Sequence, residues 1–398
     1  MERRMKMNIA ILCFGISSIA NVGGTEKVFV NMANQFASQG ATVYSIWNDE
    51  PGITPYYPFS PAVNQVNLGL GKIRVPISYK ILRELSKGLH LNIKNYVDEY
   101  KTAKRCQKIK QQIDISKIDV MICYEFNSIM VANRLSQGKI PVVAMCHNSV
   151  EDQIESLTLL QRREVSKVTR YTVLMSSFIS KAKMLLDTKI CAIPNVVQQI
   201  PDSLQADLSA DKEVYKVVFI GRLDRHQKQP LIAVRAFLSV AIYFPNWYFE
   251  IYGPITDQKY KKEIDDYVKM HDLQHQVRYM GITSDTNSIL SKSDIFAFPS
   301  AYEGFGLTLA EANAAGIPAI GFSYAPAVNE LIKSGETGFL VDNEQMFAEK
   351  MSLLMKDKEL RVKMGAAARE AMRAYAPNIV WGKWERLLIN LVHKEMDE

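Results

Sequence analysis

The chain of 398 residues lacks the features that define several broad classes of protein. Its five cysteines are odd in number and form no Cys-x-x-Cys pair, which argues against a disulfide framework or a structural zinc site and favours the cytoplasm. No apolar run of about 18 residues occurs, so we expect no transmembrane helix. Arg3, Arg4 and Lys6 before Ile9–Phe14 imitate a signal peptide, but the apolar run is short, and we interpret it as a first buried strand.

Positive charge is concentrated in one segment. Residues 72–117 contain 12 basic and 4 acidic side chains. The ordinary interpretation is a solvated helical face, and the functional one is a surface for anionic lipid headgroups or a phosphorylated ligand. In the functional interpretation Lys101, Lys104, Arg105 and Lys108 face the lipid. Nucleic acid is not expected, because aromatic residues are not interleaved with the basic ones.

Short apolar strands alternate with longer helical segments along the chain, which is typical of parallel, doubly wound sheets. Prolines and polar residues over 194–211 separate two such series. We therefore predict an α/β protein with two Rossmann-like domains, residues 1–200 and 201–376, that face each other across a ligand-binding cleft. We expect the C-terminal helix, residues 377–398, to pack back on the first domain.

The strongest local signal is the segment Ser-Ala-Tyr-Glu-Gly-Phe-Gly-Leu-Thr-Leu-Ala-Glu-Ala at residues 300–312. It follows a predicted strand and opens a helix, whose N-terminal backbone amides form a site for an anionic diphosphate. We expect Glu303 and Glu311 on one helical face, because eight residues make about 2.2 turns. Two carboxylates so placed can reach opposite ends of one ligand; the alternative is a helix cap and a solvated side chain.

The Glu303-x7-Glu311 spacing resembles the signature of retaining glycosyltransferases of family 4, which have the GT-B fold. Further segments resemble that family in the expected order: Gly23-Gly24-Thr25-Glu26, Pro194-Asn195, Phe219–Leu223 with Lys228, and Met280-Gly281. Residues 50–118 carry no family motif. The Tyr252-Gly253-Pro254 segment departs from the pattern, because proline replaces a commonly seen second glycine, so the backbone of that loop is expected to differ.

The resemblance implies a role for each matching residue. Arg222 and Lys228 would hold the donor diphosphate, a sensible pairing of a bidentate guanidinium with a point charge. Glu303 would contact the transferred sugar and Glu311 the ribose. The remaining donor contacts would come from Gly23, Gly24, Met280, Gly281, Gly304, Phe305, Gly306 and Leu307, where backbone amides of 305–307 bind phosphate oxygens.

His147 follows the predicted strand Val142–Cys146 and matches the family's histidine beside the reacting carbon of the donor sugar. A lone histidine is more often a structural hydrogen-bonding residue, and the family match favours the catalytic role. Tyr124 and Glu125, after the preceding strand, are candidate residues on the acceptor side.

No Asp-x-Asp occurs, so neither a metal nor another cofactor is expected. Arg222, Lys228 and the helix dipole would stabilise the leaving diphosphate. The resemblance implies transfer of a hexose or N-acetylhexosamine from a nucleotide-diphosphate sugar, with UDP as the favoured nucleotide, to a polysaccharide or lipid-linked acceptor. The enzyme would lie in the cytoplasm or peripherally on the inner face of the membrane. The alternatives are a nucleotide-sugar epimerase or phosphorylase of the same fold, and an inactive glycosyltransferase-like partner protein.

Overall fold

The chain forms two compact units, each built on one parallel sheet. The computed structural model describes residues 5–88, 95–283 and 285–393, so Arg3, Arg4 and the predicted helical residues 394–398 lie outside the described part. Unit 1 comprises Met1–Pro194 with Gly382–Glu398, and unit 2 comprises Asn195–Trp381. The predicted α/β class with two doubly wound sheets is confirmed.

The sheet of unit 1 has seven strands in the order β3-β2-β1-β4-β5-β6-β7. The strands are β1 (Asn8–Cys13), β2 (Thr42–Trp47), β3 (Val63–Asn67), β4 (Val120–Cys123), β5 (Val142–Met145), β6 (Arg170–Val173) and β7 (Ile190–Ala192). Every residue of β4, β5 and β6 is buried, as expected for strands covered on both faces. The edge strand β3 was not predicted, because its sequence Val-Asn-Gln-Val-Asn is mostly polar.

Helices on both sides of this sheet belong to the same unit. They are α1 (Gly24–Ser38), α2 (Ile77–Gly88), α3 (Tyr96–Gln112), α4 (Phe126–Ser136), α5 (Leu159–Val165) and α6 (Phe178–Leu185). Side chains cap the starts of α3 and α5: Asn95 accepts backbone N–H bonds at the start of α3, and Thr158 forms a capping box at α5. The sequence pattern predicts helices over Thr25–Ser38 and residues 126–136, which correspond to α1 and α4, but it predicts neither α2 nor α3.

The sheet of unit 2 has six strands in the order β10-β9-β8-β11-β12-β13. The strands are β8 (Tyr215–Ile220), β9 (Trp247–Tyr252), β10 (Val277–Gly281), β11 (Ile295–Phe298), β12 (Ala319–Phe322) and β13 (Gly338–Val341). The apolar pattern of the second series predicts all six, at residues 217–220, 247–252, 277–279, 295–298, 319–321 and 338–341. All pairings are parallel.

Unit 2 also contains seven described helices, and an eighth begins in it and ends in unit 1. They are α7 (Pro230–Ala241), α8 (Gln258–Met270), α9 (Thr286–Leu290), α10 (Leu307–Ala314), α11 (Val328–Leu331), α12 (Glu344–Lys356), α13 (Lys358–Met372) and α14 (Pro377–His393). In unit 1 the buried Trp384 of α14 lies edge-on to Phe36 of α1, with ring centres 6.5 Å apart. Across the described ranges, none of these helices combines the length and apolar content needed to cross a bilayer.

Candidate active site

The order of the strands places the family-like motifs of unit 2 at one point of its sheet. From β8 the chain proceeds to β9 and β10 on one side, whereas β11 leads to β12 and β13 on the other. Connections that diverge from two adjacent strands leave a crevice at the carboxyl ends of those strands, where α/β proteins bind ligands. Arg222 and Lys228 follow β8, and Glu303 to Leu307 follow β11, so both motifs border this switch point.

Lys228 and Glu303 meet directly across the switch point. The Lys228 Nζ atom lies 2.6 Å from Glu303 Oε1, and the two side chains are only 15% and 8% exposed. The same Nζ lies 5.1 Å from the centre of the Phe298 ring at the end of β11. Charges this well buried depend on each other, because removing either partner leaves an uncompensated charge. Lys228 and Glu303 thus form a buried ion pair with no net charge.

A short turn after β8 fixes the position of Lys228. The Asp224 carboxylate accepts hydrogen bonds from the backbone N–H groups of His226 (2.9 Å) and Gln227 (2.6 Å). Burial alone would raise the pKa of Asp224, but these N–H groups outweigh it and leave the pKa below its ordinary value. Asp224 is therefore a structural anion that shapes the loop.

Gln227 joins this loop to the one after β11. Its backbone carbonyl accepts from the N–H of Ala301 at 2.8 Å, and its side-chain Nε2 donates to the carbonyl of Tyr302 at 3.3 Å. Its Oε1 accepts from Arg222 Nη2 at 2.8 Å, which positions an otherwise exposed guanidinium. Asp224 and Gln227 were not predicted as site residues, although an aspartate at the start of a polar turn is a recognisable signal.

The turn before α10 differs from the sequence prediction. Glu303 lies in the loop, and α10 begins only at Leu307, after Gly306 with φ +85°. The expectation that Glu303 and Glu311 share a helical face about two turns apart is therefore wrong. The reason is the Gly304–Gly306 turn, in which a left-handed glycine reverses the chain before the helix starts.

The N-terminus of α10 is open to a ligand in chemical terms. Within the described residues no side chain caps it, and the buried Thr308 hydroxyl in its first turn has no hydrogen-bond partner. Phe305 is buried with its ring 5.4 Å from that of Tyr375, so it contributes its backbone and not its side chain. Glu311 lies one turn into α10 and is partly exposed. This arrangement suits an anion at the helix start.

The loops after β8, β9 and β10 are joined through their backbones. The N–H of Gly253 donates to the carbonyl oxygen of Gly281 at 2.8 Å, and the N–H of Leu223 donates to the carbonyl oxygen of Pro254 at 3.0 Å. Gly253 has φ +136°, and a Cβ there would lie 2.0 Å from the Gly221 carbonyl oxygen, so only glycine fits. Met280 is exposed beside these loops, and Gly281 leaves open space.

In unit 1 the corresponding switch point lies between β1 and β4, and its carboxylate is already committed. Glu125 caps α4 by accepting from the N–H groups of Asn127 and Ser128, and it also accepts from the N–H of Phe14 at 2.8 Å. Its Cγ lies so close to Gly15 that a Cβ there would approach to 2.4 Å. Glu125 therefore joins the two central strands, and this geometry does not favour the acceptor role considered for it.

His147 stands after β5 in an apolar setting. Its ring is stacked on that of the buried Tyr124, with centres 4.2 Å apart, and its backbone N–H donates to Gln153 Oε1 at 2.7 Å. The Nε2 atom is buried, and nothing in the described part of the chain provides it with a hydrogen-bond partner. Burial lowers the pKa of His147 to about 3, so the imidazole is neutral at physiological pH.

The Gly23-Gly24 motif forms the start of α1. Gly23 is the residue before the helix, and a Cβ on it would lie 2.1 Å from a carboxylate oxygen of Glu26. Gly24 is exposed, and burial raises the pKa of Glu26. The loop that precedes the motif is held by the buried Asp49, which accepts from the N–H of Ile19 at 3.0 Å.

The prediction that Arg105 belongs to an exposed, lipid-facing set is wrong. Arg105 is buried on α3, with its guanidinium 4.7 Å from the centre of the Phe14 ring, and burial lowers its pKa. Because its guanidinium makes a cation–π contact inside unit 1, Arg105 cannot belong to a group of basic side chains that faces lipid. Lys104 on the same helix is exposed.

Comparison with known proteins identifies the class. Two chains with related sequences match it over most of their length. The chain is 26% identical over 384 residues to an uncharacterized glycosyltransferase of Haemophilus influenzae, covering 94% of this chain and 99% of that one. It is 22% identical over 380 residues to the amylovoran biosynthesis glycosyltransferase AmsD of Erwinia amylovora, covering 94% and 98%.

A solved structure shares the architecture. The pneumococcal O-GlcNAc transferase GtfA in complex with UDP and GlcNAc superposes with a TM-score of 0.74 at 16% identity, covering 98% of this chain and 100% of that one. The chain thus has the GT-B fold. Residues 202–371 match the family described as glycosyl transferases group 1. This matched segment lies within unit 2 and covers less than half of the chain, and the enzyme class that it indicates is that of the glycosyltransferases.

Proposed function

We propose that the protein transfers a hexose or N-acetylhexosamine from a UDP-linked donor to a polysaccharide or lipid-linked acceptor during synthesis of a surface glycan. UDP is supported by its presence in the complex of the pneumococcal relative. A glycan acceptor is supported by the full-length similarity to a glycosyltransferase of amylovoran biosynthesis. The basic segment over residues 72–117 supports action at the cytoplasmic, anionic face of the membrane.

The observation that carries the proposal is the Lys228–Glu303 pair beside the uncapped start of α10. A donor diphosphate at this position would bind the backbone amides of 305–307 together with Arg222 and Lys228. Glu303, released from Lys228, would accept hydrogen bonds from hydroxyl groups of the donor sugar. Positive charge already in place at the leaving group lowers the barrier without reorganisation during the reaction.

The other donor contacts follow from the same placement. Glu311 would bind the ribose from α10, while Met280 and Gly281 would lie beneath the base. In unit 1, Gly24 would admit the donor phosphates at the start of α1, with Gly23 shaping the turn.

His147 would meet the transferred sugar through its Nε2 atom. That atom is buried and no described residue binds it, so it is suited to a sugar hydroxyl. A neutral imidazole can accept or donate this bond without introducing charge at the reacting carbon. Retention of configuration would then follow from attack on the same face, with a donor phosphate oxygen taking the acceptor proton.

Glu303→Gln tests the proposed exchange of partners. The amide no longer neutralises Lys228, so free UDP should bind more tightly, while sugar transfer should fall because a charged hydrogen-bond acceptor is lost. Calorimetry with UDP and a transfer assay with a panel of UDP-sugars measure the two effects. A shared fall in UDP affinity and transfer would show that the pair is only structural.

Asp294→Asn is the matched control. Asp294 forms an equally close ion pair with Lys212, at 2.7 Å, but it lies at the amino end of β11. This variant should lose stability without raising the affinity for UDP. Thermal unfolding in the presence of the same panel of UDP-sugars also identifies the donor. A ligand at 100 times its dissociation constant stabilises the folded state by about 2.7 kcal/mol.

A further inference from the structure

Helix α2 exposes large apolar side chains along one face. Ile77, Ile81 and Leu85 are 73%, 53% and 55% exposed. Their spacing of four residues places them in one stripe, and Leu82 extends its border. Isolated exposed apolar residues are ordinary, but an aligned stripe on one helix indicates a binding surface.

The opposite face of α2 is attached to the protein. The Tyr79 ring lies 4.8 Å from the ring of Tyr100 on α3, and Tyr79 is partly buried. Arg83 lies on the same side and pairs with Glu84 at 2.7 Å. The helix therefore docks through its polar and aromatic side and leaves the apolar stripe outward, which reverses the usual arrangement for a helix on a soluble core.

Basic residues flank the stripe. Lys80 within α2 and Lys72 and Arg74 just before it are exposed. They belong to the segment 72–117, in which 12 basic side chains outnumber 4 acidic ones. An apolar stripe bordered by Lys and Arg is the composition of helices that lie in the interface of an anionic bilayer.

We propose that α2 is an interfacial anchor that inserts Ile77, Ile81 and Leu85 into an anionic bilayer while Lys72, Arg74 and Lys80 bind lipid headgroups. Charge complementarity favours lipid over a second copy of this chain, because two such positively charged faces repel each other. The inference rests on the proposed function only in that a lipid-linked acceptor gives the docking a purpose. This anchor replaces the purely electrostatic lipid contact that the sequence predicted for Lys101, Lys104, Arg105 and Lys108.

The test is co-sedimentation of the full chain with phosphatidylcholine vesicles that contain about 30% phosphatidylglycerol, without donor or acceptor. We expect binding at low salt and residual binding at about 1 M salt, where the screening length is only about 3 Å. The triple variant Ile77→Gln, Ile81→Gln, Leu85→Gln should bind at least about tenfold more weakly at both salt concentrations. Lys72→Gln, Arg74→Gln, Lys80→Gln should weaken binding mainly at low salt.

The double variant Leu159→Gln, Met184→Gln is the matched control, because both side chains are highly exposed in unit 1 but belong to α5 and α6. It should bind vesicles as the wild type does. Retained UDP binding verifies that each variant is folded. The proposal is overturned if the wild-type protein ignores anionic vesicles, or if the α2 triple variant binds as the wild type does. It is also overturned if that variant instead changes the sedimentation coefficient without vesicles, which would identify self-association. If the wild-type protein binds anionic vesicles but does not bind UDP, the proposed function is refuted and the anchor is not.

Discussion

The two switch points have the same topology and opposite chemistry. In unit 2 the loops after β8 and β11 present Arg222, Lys228 and Glu303, and no side chain in the described part caps α10. In unit 1 the loops after β1 and β4 are closed by Glu125, which caps α4 and binds Phe14, while the nearby His147 is neutral. A doubly wound sheet thus provides a location, and the side chains decide which ligand charge it suits. The side chains at the switch point of unit 2 suit a diphosphate, whereas those of unit 1 suit uncharged hydroxyl groups, and any phosphate contact in unit 1 would fall to the backbone at Gly24.

The largest expected effect comes from removing the cations of unit 2. Arg222→Ala and Lys228→Ala should each lower kcat by about 10²–10³-fold, because each would stabilise the leaving diphosphate. The double variant should lose less than the sum of the two in free energy, since both serve one charge. Steady-state kinetics measure this, with Arg225→Ala as the control, because Arg225 lies in the same loop but pairs with Glu263. Strictly additive losses would contradict a shared ligand.

Glu311→Ala sharpens the comparison next, because it tests a carboxylate of unit 2 that we propose binds the ribose. The affinity for UDP should fall by about 1.5–3 kcal/mol, as for a hydrogen bond to a charged group. Calorimetry with UDP measures it, and Glu349→Ala, which removes an exposed carboxylate from α12, should leave the affinity unchanged. An unaltered affinity in Glu311→Ala would remove this residue from the site.

His147 allows a test of the neutral character of unit 1. In the unfolded chain its pKa is about 6.5, whereas burial lowers the folded value to about 3. Its contribution to stability is therefore present above pH 6.5 and lost as the pH falls from about 6.5 towards 3. His147→Gln should abolish about 1–2 kcal/mol of the loss between pH 7 and pH 5.

Urea unfolding at the two pH values measures this difference. The exposed His271 provides the control variant His271→Gln, which should lose stability with pH as the wild type does. Equal pH dependence in the wild type and His147→Gln would mean that the pKa of this ring is the same in the folded and the unfolded protein.

The smallest expected effect is that of metal removal. Arg222 and Lys228 would supply the positive charge at the diphosphate, and the described residues gather no group of three or more potential metal-ligating side chains. Transfer should therefore persist in excess EDTA. A loss of activity that magnesium restores would show that a divalent ion shares the role of these cations.

The sequence predicts the strands best where both faces are buried, because such strands are continuous apolar runs. This holds for β4, β5, β11 and β12. It does not explain β10, which was predicted although it is mostly exposed, and it fails for the polar edge strand β3 and for α2, whose apolar face points outward. The spacing of Glu303 and Glu311 is visible in the sequence, yet their geometry is not, since a left-handed Gly306 intervenes. The burial of Arg105 on Phe14 also depends on a tertiary contact between residues that are distant in the chain.

The pairing of Lys228 with Glu303 has a consequence for selectivity in a cell rich in competing anions. While the proposed site is empty its strongest charges cancel, so inorganic phosphate gains little by entering. A nucleoside diphosphate can bind Lys228 but leaves Glu303 without a partner. Only a molecule with both a diphosphate and sugar hydroxyls satisfies the two residues at once. The ion pair would therefore favour the intact donor over the nucleotide product, and this bias would help to release the spent nucleotide after transfer.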